Sequence, residues 1–265
     1  MYDYHSHTSF SDDSSSSFED MLDAACNLGL KELAITDHYD PDYPDKEFPF
    51  DLDFGPYNQS LVDFGEKYRD KIKLIKGIEI GIQKSSIDKC KIAATSFDYD
   101  FIIGSFHCAQ GKELYGLNFF TGKSPFQAYV DFYGYVYDCL KNFNNYSILG
   151  HINIIDRYAQ TIPAFSFYSD EVDSILRLLI ENGKGIEINT SSYRYGMGDL
   201  RTPSDDILKR YKQLGGEILT LGSDAHFPEH IAYKFKSTLE YLQYKGFKYL
   251  TTFDNLIPSQ VGINS

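Results

Sequence analysis

Residues 17–38 read SFEDMLDAACNLGLKELAITDH, and the two halves of this stretch follow different periods. In the first half Phe18, Met21, Leu22, Ala25 and Leu28 recur at three- and four-residue spacing, which lines one stripe of a helix. Ser15, Ser16 and Ser17 offer hydroxyls to cap its start, and Gly29 ends it with a residue free to turn left-handed. The second half, KELAITDH, is a short apolar run that closes on Asp37 and His38. The unit is therefore a helix, a turn and a strand whose C-terminal end carries polar chemistry.

Working outward, the same unit recurs. Upstream, YDYH reads as a first short strand. Downstream, LVDFGEKYRDK reads as helix, IKLIKGIEIGI as strand, SIDKCKIAA as a short helix and YDFIIGSFH as a buried strand. PFQAYVDFYGYVYDCLKNF is a long helix with Pro125 at its start, where a missing N–H costs nothing. YSILGH, KGIEIN and EILTLGSDAH are strands, separated by the helices SDEVDSILRLLIENG and PSDDILKRYKQLGG. HIAYKFKSTLEYLQYKG reads as a closing helix, and FKYLTTF as a last strand or an extended segment. Alternation of this kind implies parallel strands joined by crossover helices. About seven strands fall close to the eight of a full (β/α) barrel. No linker rich in Pro, Gly or Ser divides the chain, so residues 1–265 are expected to form one domain. The acidic, aromatic stretch 39–56 is expected to be a lid or rim loop.

Composition narrows the function. A hydrophobic share of 42% is ample for a packed core, and no apolar run approaches a membrane span. The formal charge of −13 argues against polynucleotide or anionic-membrane partners. The start of the chain shows neither the basic residues nor the apolar run of a secretory signal. Its four cysteines are scattered without a CxxC pair, so reduced thiols in a cytoplasmic setting are expected.

The ends of the strands carry the chemistry. They bear His5 and His7, Asp37 and His38, Glu79, His107, His151, Glu187 and Asn189, and finally Asp224 and His226. Of seven histidines only His230 lies elsewhere. On a strand, His5 and His7 share a face, because side chains alternate with a period of two. The C-terminal ends of parallel barrel strands open on one face, so these residues converge. Histidines confined to strand ends do not form a packing pattern; they point to a polynuclear metal site. Mixed imidazole and carboxylate donors suit zinc, iron or manganese.

The motifs HSHTSFSDD, AITDH, GIEI, FIIGSFH, ILGH and GSDAH occur here in order, from the first residues to Asp224 and His226. In them the chain resembles the polymerase and histidinol phosphatase (PHP) superfamily of metal-dependent phosphoesterases, and within it the stand-alone histidinol-phosphate phosphatases. That resemblance implies a distorted, TIM-barrel-like (β/α)7 barrel with three divalent metals at the C-terminal ends of its strands. By carry-over, His5, His7, Glu79 and Asp224 would hold the first metal, and Glu79 with His107 and His151 the second. Asp13, or its neighbour Asp12, would hold the third with His38 and His226. The implied reaction is hydrolysis of a small substrate, L-histidinol phosphate, by a hydroxide shared between metals, with Asp224 and His226 as catalytic residues. This chemistry needs no Ser or Cys nucleophile.

Two arginines follow the strands where phosphate would need positive charge, Arg157 after GHINIID and Arg194 after INTSSY. The fork of a guanidinium matches phosphate oxygens in pairs, and the family implies a basic residue in these loops. A small nucleotide is the alternative substrate class. A metal-stabilised binding module fits less well, because structural zinc sites are closed and rich in cysteine.

Overall fold

The computed structural model describes residues 1–198 and 200–263. Seven parallel strands follow one another in chain order: β1 (Tyr2–Asp3), β2 (Glu32–Ile35), β3 (Lys73–Gly81), β4 (Phe101–Ser105), β5 (Ile148–Leu149), β6 (Gly185–Asn189) and β7 (Leu219–Gly222). A two-residue strand, His38–Tyr39, pairs with the upper part of β3 and sets His38 directly across from Glu79. The sheet curls until its first and last strands meet. Leu221 O accepts from Tyr4 N at 2.9 Å, His5 O from Asp224 N at 2.8 Å and Ala225 O from His7 N at 2.8 Å. The result is the distorted seven-stranded barrel that the family resemblance implies.

Helices cover the outside: α1 (Phe18–Asn27), α2 (Phe54–Tyr68), α3 (Ile87–Ala94), α4 (Pro125–Leu140), α5 (Ile155–Tyr158), α6 (Ser169–Glu181), α7 (Asp205–Gln213) and α8 (Phe235–Tyr244). The period of two divides each strand between two cores. Leu33, Ile35, Leu74 and Ile102 pack outward with the helices. Ala34, Ile75, Phe101 and Ile103 pack inward with Tyr4 and Ile148. Glu79 and Ser105 continue the inward rows of β3 and β4, which carries them to the C-terminal mouth.

The inward core is closed from below by an antiparallel hairpin, β8 (Tyr249–Asp254) and β9 (Ile257–Gly262). Phe253 enters the barrel against Phe101, with ring centroids 5.0 Å apart, and its N–H donates to Tyr4 Oη at 2.8 Å. The segment FKYLTTF is thus one arm of a plug rather than an eighth barrel strand.

Two helix starts differ from the sequence reading. α2 begins at Phe54, because the Asp53 side chain accepts from Gly55 N at 3.3 Å and Pro56 is tolerated in a first turn. That shortens the rim loop. α8 begins only at Phe235, since Ala232 and Lys234 take positive φ values of 53° and 60°.

Candidate metal centre and substrate cavity

Glu79 lies at the centre of the barrel mouth, fully buried. Its Oε2 is 3.1 Å from His5 Nε2, 3.5 Å from His7 Nε2 and 3.0 Å from His38 Nδ1. Its Oε1 faces the other side, 2.9 Å from His151 Nε2 and 3.5 Å from His107 Nε2. Ser105 Oγ donates to the same oxygen at 2.6 Å. One carboxylate therefore stands between two groups of imidazoles.

Asp224 adds a second carboxylate, with Oδ1 3.4 Å from His7 Nε2 and 3.7 Å from His5 Nε2. Its backbone takes a positive φ of 53°, an uncommon geometry for a non-glycine residue. His226 Nε2 is 3.1 Å from Asp13 Oδ2, and His38 Nε2 is 3.8 Å from the same oxygen. Asp12 turns away and accepts from Phe50 N at 2.7 Å. Of the acidic pair, Asp13 is the one that reaches the imidazoles.

Behind these side chains lies a ring of buried acids. Glu187 Oε1 is 2.6 Å from His5 Nδ1, and its Oε2 accepts from His151 N at 3.0 Å. Asp40 Oδ2 is 2.6 Å from His107 Nδ1. His7 Nδ1 donates to Ser11 Oγ at 3.3 Å, and Ser11 donates to Asp37 at 2.7 Å. Partners of this kind fix which ring nitrogen is left to face a cation. Gly222 makes room for one of them, since a Cβ there would lie 2.2 Å from Glu187 Oε1 and 2.6 Å from His5 Cβ.

The donors fit a divalent metal. His7 Nε2 and His38 Nδ1 are buried without a hydrogen-bond partner, although a buried polar atom normally has one. Burial, with help from His7, pushes the His38 imidazole down to about 4 against the pull of Glu79. Burial and the neighbouring His226 also lower His7. Both rings are thus neutral at pH 7 and keep a lone pair to offer. Among the described residues, four triads bring one ligand atom each within 4.8 Å of one another. They are His5, His7 and Glu79; His38, Glu79 and His107; His5, His151 and Asp224; and His7, His38 and His226.

A cavity of about 450 Å³ opens above the cluster, and Asp13, His38, His107, His151, Asp224 and His226 face it. Arg157 also lines it; its Nη2 donates to Ser191 Oγ at 2.7 Å and lies 3.7 Å from Asp224 Oδ2. The Tyr195 ring covers that guanidinium at 4.0 Å, and Nε has no partner. Arg194 sits elsewhere. Its Nη2 donates to Ser223 O and Asp224 O, both at 2.8 Å, behind the Asp224 turn and off the cavity wall. The rim loop contributes Tyr43, Asp45, Phe48 and Phe50 to the wall.

Sequence reasoning gave no role to Glu187, Asp40 or Ser11. For Glu187 a signal was present: the pentapeptide KGIEI occurs twice, at 76–80 and 184–188, and puts an acid at the same place in β3 and β6. Asp40 gave no such signal, because it stands in a loop already rich in aspartate.

A family model described as the PHP domain matches residues 3–191. A protein of Clostridium acetobutylicum named "Probable histidinol-phosphatase" is 33% identical over 91% of this chain and 92% of its own length. The histidinol-phosphatase of Lactococcus lactis subsp. lactis is 30% identical over 96% of this chain and 94% of its own. A crystal structure of histidinol phosphate phosphatase from the same organism, complexed with zinc, L-histidinol and phosphate, superposes with a TM-score of 0.87. It is 29% identical and covers 97% of this chain and 98% of that one.

Proposed function

The chain belongs to the PHP domain family, and from that premise we propose that it hydrolyses L-histidinol phosphate to L-histidinol and phosphate. The observation that carries this reading is the buried Glu79 carboxylate held between two groups of imidazoles at the foot of an open cavity. The relatives matched over nine-tenths of both chains carry the same activity in their names.

In this reading three divalent ions, zinc, iron or manganese, are held by one continuous set of side chains. His5, His7, Glu79 and Asp224 hold the first; Glu79, His107 and His151 the second; Asp13, His38 and His226 the third. When bound, such ions polarise phosphoryl oxygens and lower the pKa of water. The chain's own residues do the rest. Glu187 and Asp40 hold His5 and His107 in place through their outer nitrogens. Arg157, held against Tyr195 with Nη2 on Ser191 and Nε unpartnered, offers its guanidinium to the phosphate. Arg194 lies off the cavity wall with Nη2 committed to the Ser223 and Asp224 carbonyls, so its part in phosphate binding runs through the Asp224 turn. Asp224 and His226 combine metal binding with a place on the cavity wall, so they act where the phosphoryl group reacts.

Residues 1–265 form one catalytic domain in this account, working on a small molecule in the cytoplasm with its cysteines reduced. Among the described residues no helix is long and apolar enough to cross a membrane. The test is phosphate release from a panel of L-histidinol phosphate, AMP and p-nitrophenyl phosphate. The reading predicts the highest kcat/KM for L-histidinol phosphate. A preference for AMP would assign the cavity to a nucleotide.

A further inference from the structure

The cavity has two walls of opposite character. β2 and β5 stand three steps apart in the seven-strand order, so the segments that follow them rise on opposite sides of the barrel mouth. The segment after β5 carries Arg157, and the loop after β2 carries Asp45, Phe48 and Phe50. Asp45 is half-buried in that wall. Asp13 and Asp224 also face the cavity, but both are engaged by imidazoles. Asp45 is not. One of its oxygens accepts from Glu47 N at 2.9 Å, and among the described residues no Lys, Arg or His pairs with it. The neighbouring Asp42, by contrast, is neutralised by Lys89 at 2.6 Å.

An unpaired carboxylate beside phenyl rings, in the wall of a cavity, is a site for an organic cation. The charge attracts it and the ring faces add to the attraction. We propose that Asp45 is a specificity-determining residue that binds the protonated amine of the leaving group, while its heterocycle lies against Phe48 and Phe50. The inference rests on the histidinol phosphate reading above. An alkyl amine is protonated at neutral pH, so the contact is a charge pair. The phosphate then lies on the Arg157 side and the cation on the Asp45 side. A phosphomonoester without a cationic group leaves Asp45 facing an uncharged partner, and that difference is what discriminates.

The experiment compares kcat/KM for L-histidinol phosphate with kcat/KM for p-nitrophenyl phosphate, in the wild type and in Asp45→Asn. The ratio of the two is expected to fall about tenfold, the cost of a charge-assisted contact, and mainly through KM for L-histidinol phosphate. Asp45→Lys should lower the ratio further, and Asp45→Glu should restore part of it. A ratio that stays within about twofold of wild type in both Asp45→Asn and Asp45→Lys overturns the inference. A wild type that does not prefer L-histidinol phosphate overturns the functional reading instead, so the two failures are told apart.

Discussion

Glu187 is a buried acid that the apolar core does not need, which makes it a direct probe of the cluster in front of it. It touches His5 and the backbone of His151, yet lies off the cavity wall. Outer partners of this kind typically account for ten- to a hundredfold in metal affinity. Glu187→Gln should therefore weaken metal binding by about that factor, measured by competition with a chelator of known affinity; unchanged affinity would leave Glu187 a structural acid. Replacing a ligand should be harsher. His38→Ala or Asp224→Asn is expected to abolish turnover while circular dichroism stays native, because the strands beneath are held by their own apolar rows. Wild-type activity in either variant, with metal content unchanged, would remove that residue from the site. Arg157 separates phosphate binding from metal binding. Arg157→Ala should lower kcat/KM by about ten- to a hundredfold, the range for a lost charge-assisted contact, with metal content intact. Arg194→Ala should cost less, because that side chain lies off the cavity wall and acts through the Asp224 turn. Equal and negligible losses would leave phosphate recognition to the metals alone.

At the scale of elements, the strands and most helices were legible because each obeys one period. Inward and outward rows differ by one residue along every strand, and α1, α4 and α6 show an apolar stripe with a plain start or stop. The ligands were legible for a related reason: a histidine at the end of an apolar run has no packing role to explain it. What the sequence hid depends on contacts between distant segments. The C-terminal hairpin gives no local sign that it plugs the barrel, since that role follows from Phe253 meeting Tyr4 and Phe101. Its contribution can be measured. Phe253→Ala removes a buried ring that is only 3% exposed, a loss of about 3–5 kcal/mol of stability for such truncations. A lowered Cm in urea with an unchanged m value would report it; unchanged stability would mean that the hairpin rests on the barrel without sealing it. One outer acid was hidden in the same way. Asp40 is recognisable only when the His107 imidazole it holds is brought to it.

At the scale of the whole molecule, a chain of net charge −13 has to attract a phosphate ester. The barrel resolves this by gathering the attraction at one end. Imidazoles, Arg157 and the ions they would hold face the cavity at the C-terminal mouth, while acids on the far surface are screened by solvent over about 8–10 Å. Turnover depends on those ions. The most direct measurement is phosphate release from L-histidinol phosphate by chelator-stripped protein, titrated with zinc or manganese and read against metal bound per chain. No turnover is expected without metal, and full recovery when two to three equivalents per chain have bound. Turnover by metal-free protein at the rate of the untreated enzyme, or metal uptake to that level with no phosphate released, would contradict that dependence.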